Sequence, residues 1–188
     1  MNHDIQAILS AAHYAAEKHA NQRRKGVSSE PYINHLLEVS QLVSTGLSDR
    51  DADLLVAALL HDVIEDAGVT QEELTQRFGK DVAALVLEVT DDKALPKEER
   101  KQLQIQHAPK LSVRAQVIKL ADKISNLRSI LTSPPTNWDS LRKREYFDWA
   151  KRVVEGMTAP NPILKAEFER TFLRFNEGQS GERQSYIG

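Results

Sequence analysis

Apolar positions recur at steps of three and four through nearly the whole chain, and few segments alternate. That period is the helical one. Ile5, Ile8, Leu9, Ala12, Ala15 and Ala16 fall on one face of a first helix. The stretch NQRRKGVSSEP then breaks it with a glycine, two serines and a proline. A second helix is expected over 33–45, with Leu36, Val39 and Val43 on one stripe and Gly46 at its end. A third is expected to open at SDRD with Ser48 as N-cap. It should run through LLVAALL into His61 and Asp62 and stop near Gly68.

TQEE at 70–73 reads as a capping box for a short fourth helix closed by Gly79. DVAALVLEVT supplies a fifth; its β-branched residues permit a strand, but a lone strand has no partner. DDKALPKEER is a polar connection, and Pro96 suits the first turn of the next helix. In SVRAQVIKLADKISNLRSIL, Val113, Val117, Leu120, Ile124, Leu127 and Leu131 form an amphipathic stripe expected to pack in the core. TSPPTN is a break, and helices are expected again over 138–157 and 162–176. GQSGERQSYIG reads as a flexible tail over 178–188. The expected fold is all-α: one domain over 1–177, a bundle of about eight helices.

Composition narrows the possibilities. A chain of 188 residues can bury a core without disulfide or metal staples. Its net charge of −2 gives no global basic field for nucleic acid or an anionic membrane. The basic residues are clustered, at Arg23-Arg24-Lys25, Arg100-Lys101 and Arg142-Lys143-Arg144, a pattern most often found on solvated faces. The chain has no cysteine, so any bound metal must use nitrogen and oxygen ligands. The absence also fits a reducing compartment. The N-terminus lacks a basic-then-apolar signal pattern, and the longest apolar run, seven residues, is far short of a membrane span. The expectation is a cytoplasmic chain with neither membrane nor nucleic acid as partner.

One stretch asks for a chemical explanation. ALLHDVIEDAG places His61, Asp62, Glu65 and Asp66 at the end of an apolar segment, where charge is costly unless paired. Residues four apart share a helix face. His61 with Glu65, and Asp62 with Asp66, therefore give a ligand-like pair and an acid/base-like pair side by side. Asp122 and Asn126 are also four apart and lie off the late apolar stripe; His35 follows PYIN where the second helix begins. Together His35, His61, Asp62 and Asp122 offer two imidazoles and two carboxylates. That set suits manganese, iron or zinc. A divalent ion lowers the pKa of water from 15.7 towards roughly 7. Glu65 and Asp66 would then be free to orient water and carry protons. His3, His13, His19 and His107 lack a spaced carboxylate partner and are expected to be structural.

HDVIED, the upstream RRKGVSSEPYINH and the downstream KLADKISNL together resemble the HD-domain metal-dependent phosphohydrolases. More closely, they resemble the hydrolase domain of the RelA/SpoT proteins and their stand-alone relatives, over about 5–157. The resemblance implies hydrolysis of the guanine-nucleotide alarmones ppGpp and pppGpp at the ribose 3′ oxygen. Pyrophosphate and GDP or GTP would be the products. It implies manganese as the usual metal, held by His35, His61, Asp62 and Asp122, with Glu65 and Asp66 activating water. Arg24 and Lys25 match the family's basic pair at the nucleotide, and Asn126 a position facing ribose or phosphate. Lys97, Arg142 and Tyr146 are further candidates for the distal phosphate or the base, with exposed or packed helix positions as the plainer reading. The loop departs from the family's shorter SGEPYI type, leaving open whether Ser28 or Ser29 takes over the usual contact. Three other functions remain open. Two are hydrolysis of another nucleotide: the 2′-phosphate of NADPH, or a deoxynucleotide. The third is alarmone sensing without cleavage.

Overall fold

The structure is a computed structural model. It describes residues 2–47 and 50–184, with side-chain environments through residue 178. Its elements are α1 (Asn2–Lys18), α2 (Ile33–Gly46), α3 (Ala52–Leu60), α4 (Val63–Ala67), α5 (Gln71–Phe78), α6 (Lys80–Val89), α7 (Lys97–His107), a 3₁₀ turn (Ala108–Lys110), α8 (Val113–Thr132), α9 (Ser140–Glu155) and α10 (Pro162–Gln184). The chain is all-α as expected, with no strand among the described residues. An isolated bridge pairs Arg23 with Pro31. No helix among the described residues is long and apolar enough to cross a membrane.

The core gathers around α3 and α8. The first packs against α1, α2 and α6, the second against α2, α6 and α10. Leu36, Leu59, Leu60, Ile118, Leu120, Ile124, Leu127 and Phe147 are all fully buried there. Because α8 is covered on nearly every side, polar Gln116, Asp122, Lys123 and Ser125 are buried along with its apolar stripe. Charged groups so placed must find partners, and their partners build the site described below.

The described residues form ten α-helices rather than about eight, in part because the third expected helix is two. Regular winding ends at Leu60, and His61 and Asp62 form a turn before α4. Asp62 sits at φ −103°, ψ −2° rather than in the helical well. Asp66 N still reaches Asp62 O at 2.8 Å, so the chain bends without losing its direction. Gly68, at φ 68°, then stops α4 in the left-handed region that glycine tolerates.

Other local expectations shift. The proposed cap Ser48 lies outside the described residues; Asp51 caps α3 by accepting from Leu54 N at 2.9 Å. Thr70 caps α5 as expected, but Glu73 does not reach back. Its carboxylate accepts from the Tyr14 hydroxyl at 2.6 Å instead. The buried residues of α1 are Ala11, Tyr14 and Ala15; of the expected stripe, Ala15 is buried and Ile8 and Ala12 pack against the core, whereas Ile5 and Leu9 are 52% and 65% exposed. Small Ala11 and Ala15 let α1 lie close on α3, and that choice turns Ile5 and Leu9 outward. On α8, Val113 in the first turn is exposed while Val117 to Leu127 are buried. Pro96 precedes α7 as its cap residue. Asn161 caps α10 through Ile163 N and Leu164 N at 3.0 and 3.1 Å. Residues 178–184 of the expected tail continue α10, and 185–188 lie outside the described residues.

Candidate metal centre and catalytic site

Three separated pieces of chain meet at one point. His35 comes from the first turn of α2, His61 and Asp62 from the α3–α4 turn, and Asp122 from the middle of α8. One ligand atom from each of His35, His61 and Asp62 lies within 4.8 Å of the others. Asp122 Oδ1 joins them, 3.4 Å from His35 Nε2 and 3.9 Å from His61 Nε2. Asp62 Oδ2 is 3.2 Å from His61 Nε2 and 3.7 Å from His35 Nε2. All four predicted ligands therefore converge.

The hydrogen bonds behind the imidazoles fix what they present. His61 Nδ1 lies 2.8 Å from the Ala58 carbonyl, so it must carry the proton. Its Nε2 is buried and makes no hydrogen bond. Ser125 donates its hydroxyl proton to Glu38 Oε2 at 2.7 Å and therefore accepts from His35 Nδ1 at 2.8 Å. A neutral His35 thus also turns a lone pair at Nε2 towards the two acids. Two nitrogen lone pairs facing two carboxylates repel unless a positive charge sits among them. The donor set fits a divalent cation: neutral nitrogens oriented from behind and carboxylate oxygens.

Without a cation, the acids draw a proton to His61 instead. Burial opposes charge on His61, yet the adjacent Asp62 and Asp122 outweigh it and push its pKa up to about 9. Burial, with Arg24 and His61 nearby, holds His35 below the usual histidine value. Burial works against the charges of both acids. His61 and His35 still hold Asp62 well below the carboxylate range, and Lys123 with the two histidines does the same for Asp122. Lys123, 2% exposed, meets Asp122 Oδ2 at 2.8 Å and lies 4.6 Å above the Trp149 ring. The Tyr32 hydroxyl donates to Asp62 Oδ2 at 2.6 Å.

Glu65 and Asp66 follow on α4. Burial, then the charges of Asp62, Asp91 and Asp66, push Glu65 up to about 7. Its carboxylate faces Arg100 Nη1 and Asp91 N, both at 3.4 Å. Asp66 accepts from Gln22 Nε2 at 2.6 Å and contacts Lys93 Nζ. The bend at Asp62 changes the pairing expected from a straight helix. His61 and Asp62 act on one point together, and Glu65 and Asp66 form the second group.

The nucleotide-side candidates fall in two sets. Arg24 is joined to the centre: its guanidinium donates to Asn126 Oδ1 at 3.2 Å, and Asn126 Nδ2 donates to Asp122 Oδ1 at 2.6 Å. Arg24 also lies 6.0 Å over the Tyr32 ring. Its loop is closed by Arg24 N to Glu30 O at 2.9 Å and Tyr32 N to Gln22 O at 3.1 Å. Ser28 bonds Ser133 and Glu30 and so ties the loop to the end of α8, while Ser29 takes φ 47°. Lys25, Lys97 and Arg142 are exposed. Burial and the charges of Lys101, Arg142 and Lys25 hold Lys97 below the usual lysine value, which marks them as one basic group. Tyr146 is packed between Trp138 and Trp149, with ring centroids at 5.4 and 5.1 Å. Burial pushes its hydroxyl up to about 12, against the pull of Lys123.

Sequence reasoning passed over Gln22, Tyr32, Lys123 and Ser125, and set His19 aside. Tyr32, Lys123 and Ser125 stood inside the quoted motifs. Gln22 and His19 carry no signal without the fold, because their partners are 44 and 3 residues away and follow no metal-ligand spacing.

Residues 11–148 match the HD domain family. Over 173 residues the chain is 48% identical to the guanosine-3′,5′-bis(diphosphate) 3′-pyrophosphohydrolase MESH1 of Xenopus tropicalis, covering 92% of this chain and 97% of that protein. It is 46% identical over 165 residues to its namesake in Drosophila melanogaster, covering 88% and 92%. A solved structure described as a metazoan ortholog of SpoT that hydrolyzes ppGpp superimposes with a TM-score of 0.85 at 45% identity, covering 89% of this chain and 94% of that one. A matched segment that contains all four converging residues, with relatives matched over nearly their full length, makes this chain a member of the HD-domain family.

Proposed function

We propose that the chain is a metal-dependent pyrophosphohydrolase that cleaves ppGpp and pppGpp at the ribose 3′ oxygen. The observation that carries this reading is the convergence of two oriented imidazole nitrogens and two carboxylates on one point, with Glu65 and Asp66 one helical turn away. The activity printed for the relatives supports the choice of substrate. His35, His61, Asp62 and Asp122 would hold a divalent cation, and manganese is the one we favour. When bound, such a cation supplies Lewis acidity that makes water nucleophilic near neutral pH.

The protein's own groups supply the rest. Glu65, with its pKa near 7, is poised to accept the proton of the attacking water. Asp66, held by Gln22 and Lys93, orients that water. Arg24 brings a planar fork suited to a phosphate or to stacking on a base, and Asn126 links it to Asp122. Lys25, Lys97 and Arg142 form a basic rim for the remaining phosphates, and the Tyr146–Trp138 surface offers a flat wall for a purine. A guanine-nucleotide substrate argues for an enzyme of the cytoplasm.

The test is product analysis. Purified protein is incubated with ppGpp, with and without Mn2+, and pyrophosphate and orthophosphate are measured separately. Metal-dependent pyrophosphate with GDP is the expected result. Orthophosphate from NADPH or a deoxynucleotide, with ppGpp left intact, would show another phosphohydrolase. Tight ppGpp binding with no product would show a sensor.

A further inference from the structure

We infer that His19 and Gln22 act in series as positioning residues for Asp66. The inference rests on the proposed reading of Asp66 as the acid that orients the attacking water.

Gln22 Nε2 donates to Asp66 Oδ2 at 2.6 Å. An amide that spends its nitrogen there offers its oxygen at the other end, and Gln22 Oε1 meets His19 Nδ1 at 2.5 Å. Nδ1 therefore carries a proton, and the imidazole decides which way the amide faces. Flipping the amide would set its NH2 against the Nδ1 proton and its oxygen against the Asp66 carboxylate.

The imidazole is built in. His19 is 3% exposed, and its ring stacks on Tyr32 with centroids 5.2 Å apart and planes 26° from parallel. Its backbone is tied down as well, His19 N to Ala15 O and Gln22 N to His19 O, both at 3.0 Å. Its Nε2 is buried without a hydrogen bond. A core histidine with one orphaned nitrogen is a poor structural element, because that group loses its water without compensation. Its one hydrogen bond leads towards the site. The ring it stacks on carries the hydroxyl that donates to Asp62. One buried imidazole thus braces a proposed ligand through Tyr32 and a proposed acid through Gln22. Lys93 meets the other oxygen of Asp66 from the surface, where it is half-exposed. The rigid restraint on Asp66 is the inner one.

A carboxylate that orients water loses rate steeply when it drifts; misplacement by about 1 Å costs on the order of 100-fold. Variants of the full chain are assayed with Mn2+ and ppGpp. Gln22→Met keeps size and removes both hydrogen bonds; kcat should fall about 10- to 100-fold, with KM within about threefold of wild type. His19→Phe keeps the ring against Tyr32 and frees the amide; kcat should fall about tenfold. Because the two act in series, the double variant should be no slower than Gln22→Met alone. Mn2+ affinity should be unchanged in all three, which a general loosening of the fold would not allow. Gln22→Glu, which keeps the shape but sets a like charge against Asp66, should be at least as slow as Gln22→Met. The inference is overturned by wild-type kcat in Gln22→Met and Gln22→Glu, or by losses that multiply in the double variant. Asp66→Asn separates the two levels. If it stays active, the role of Asp66 fails and this inference with it; if it is inactive while the Gln22 variants are active, only the inference fails.

Discussion

His61 Nε2 and Asp62 Oδ2 lie 3.2 Å apart although the two residues are neighbours in the chain. On a regular helix, neighbours point about 100° apart. The turn between α3 and α4 is what lets both aim at one point, and it places them where α2 and α8 bring His35 and Asp122.

His61→Ala and Asp62→Ala should each abolish binding of Mn2+ and hydrolysis of ppGpp. Glu65→Ala and Asp66→Ala should keep the metal and lose most turnover. Equilibrium dialysis with Mn2+ beside a turnover assay separates the two groups. Near-normal turnover in both His61→Ala and Asp62→Ala, or failure of the Glu65 and Asp66 variants to bind Mn2+, would break the assignment.

His35 owes its orientation to Ser125 and, behind it, Glu38, whose other oxygen accepts from Arg128 at 2.9 Å. Groups that fix a ligand's tautomer are typically worth 10- to 100-fold in metal affinity. Ser125→Ala should therefore weaken Mn2+ binding by about 10- to 100-fold. Nitrogen-15 NMR of the metal-free protein should show His35 in a mixture of tautomers. Ser125→Thr keeps the hydroxyl and should hold affinity near wild type. An unshifted affinity and a single tautomer in Ser125→Ala would remove Ser125 from the centre's support.

Glu65 gives a pH signature. Its folded pKa, about 7, is raised above the ordinary 4.5 by burial and then by the acids around it. Its contribution to stability is therefore fully present below about pH 4.5 and is lost as pH rises through 7. At pH 8 the folded state carries the strain of a crowded carboxylate. In metal-free protein, Glu65→Gln should raise unfolding stability at pH 8 by about 1–2 kcal/mol, a figure discounted for partial solvent access, and by little at pH 5. Urea unfolding at the two values checks this. Equal effects at both pH values would show that Glu65 titrates in its ordinary range.

Much of the site was legible because its residue types are expensive. Two histidines and several acids on otherwise apolar helices need a reason, and a cation supplies one. The all-α class followed from the repeat of apolar positions for the same economy of burial. Sequence periodicity could not show that α3 and α4 part at His61, since the hydrophobic pattern runs on through Val63 and Ile64. Nor could it place the centre of α1's buried face. Ile5 and Leu9 carry more apolar surface than Ala11, but the close approach to α3 favours the small side chain. His19 was passed over because spacing rules look for a carboxylate one turn away, whereas its partner is an amide.

The exposed cations make a different kind of prediction. Lys97 and Arg142 sit with Lys25 and Lys101 in one positive group, and Arg142 lies 4.9 Å over the Trp138 ring. They are remote in role from Glu65 and Asp66, so their loss should weaken substrate binding more than it slows the chemical step. Lys97→Ala/Arg142→Ala should raise KM for ppGpp about tenfold or more, the equivalent of about 1.4 kcal/mol, and leave kcat within about threefold. Raising salt should increase KM in the wild type more than in the double variant, because these charges are screened. An unchanged KM and an unchanged salt response would make them solvated surface only.

Gly26 is where the loop of Arg24 meets the end of α8. A Cβ at this position would fall inside the contact radius of the Ser133 carbonyl oxygen and against its side-chain oxygen. The carbonyl belongs to the backbone just past Thr132 and cannot rotate away, so in Gly26→Ala the loop must move. That loop carries Arg24 and Lys25 and is pinned to Ser133 by Ser28 N at 2.9 Å and Ser28 Oγ at 2.8 Å. Gly26→Ala should cost about 1–3 kcal/mol of stability, as overpacking against a fixed neighbour does. KM for ppGpp should rise while Mn2+ affinity holds, since none of the four proposed ligands lies on the loop. Adding Ser133→Ala removes only the side-chain oxygen and should not restore KM, because the backbone carbonyl still blocks the methyl group. Thermal unfolding and steady-state kinetics on the two variants test the argument; full rescue by Ser133→Ala would place the conflict at the hydroxyl rather than the backbone.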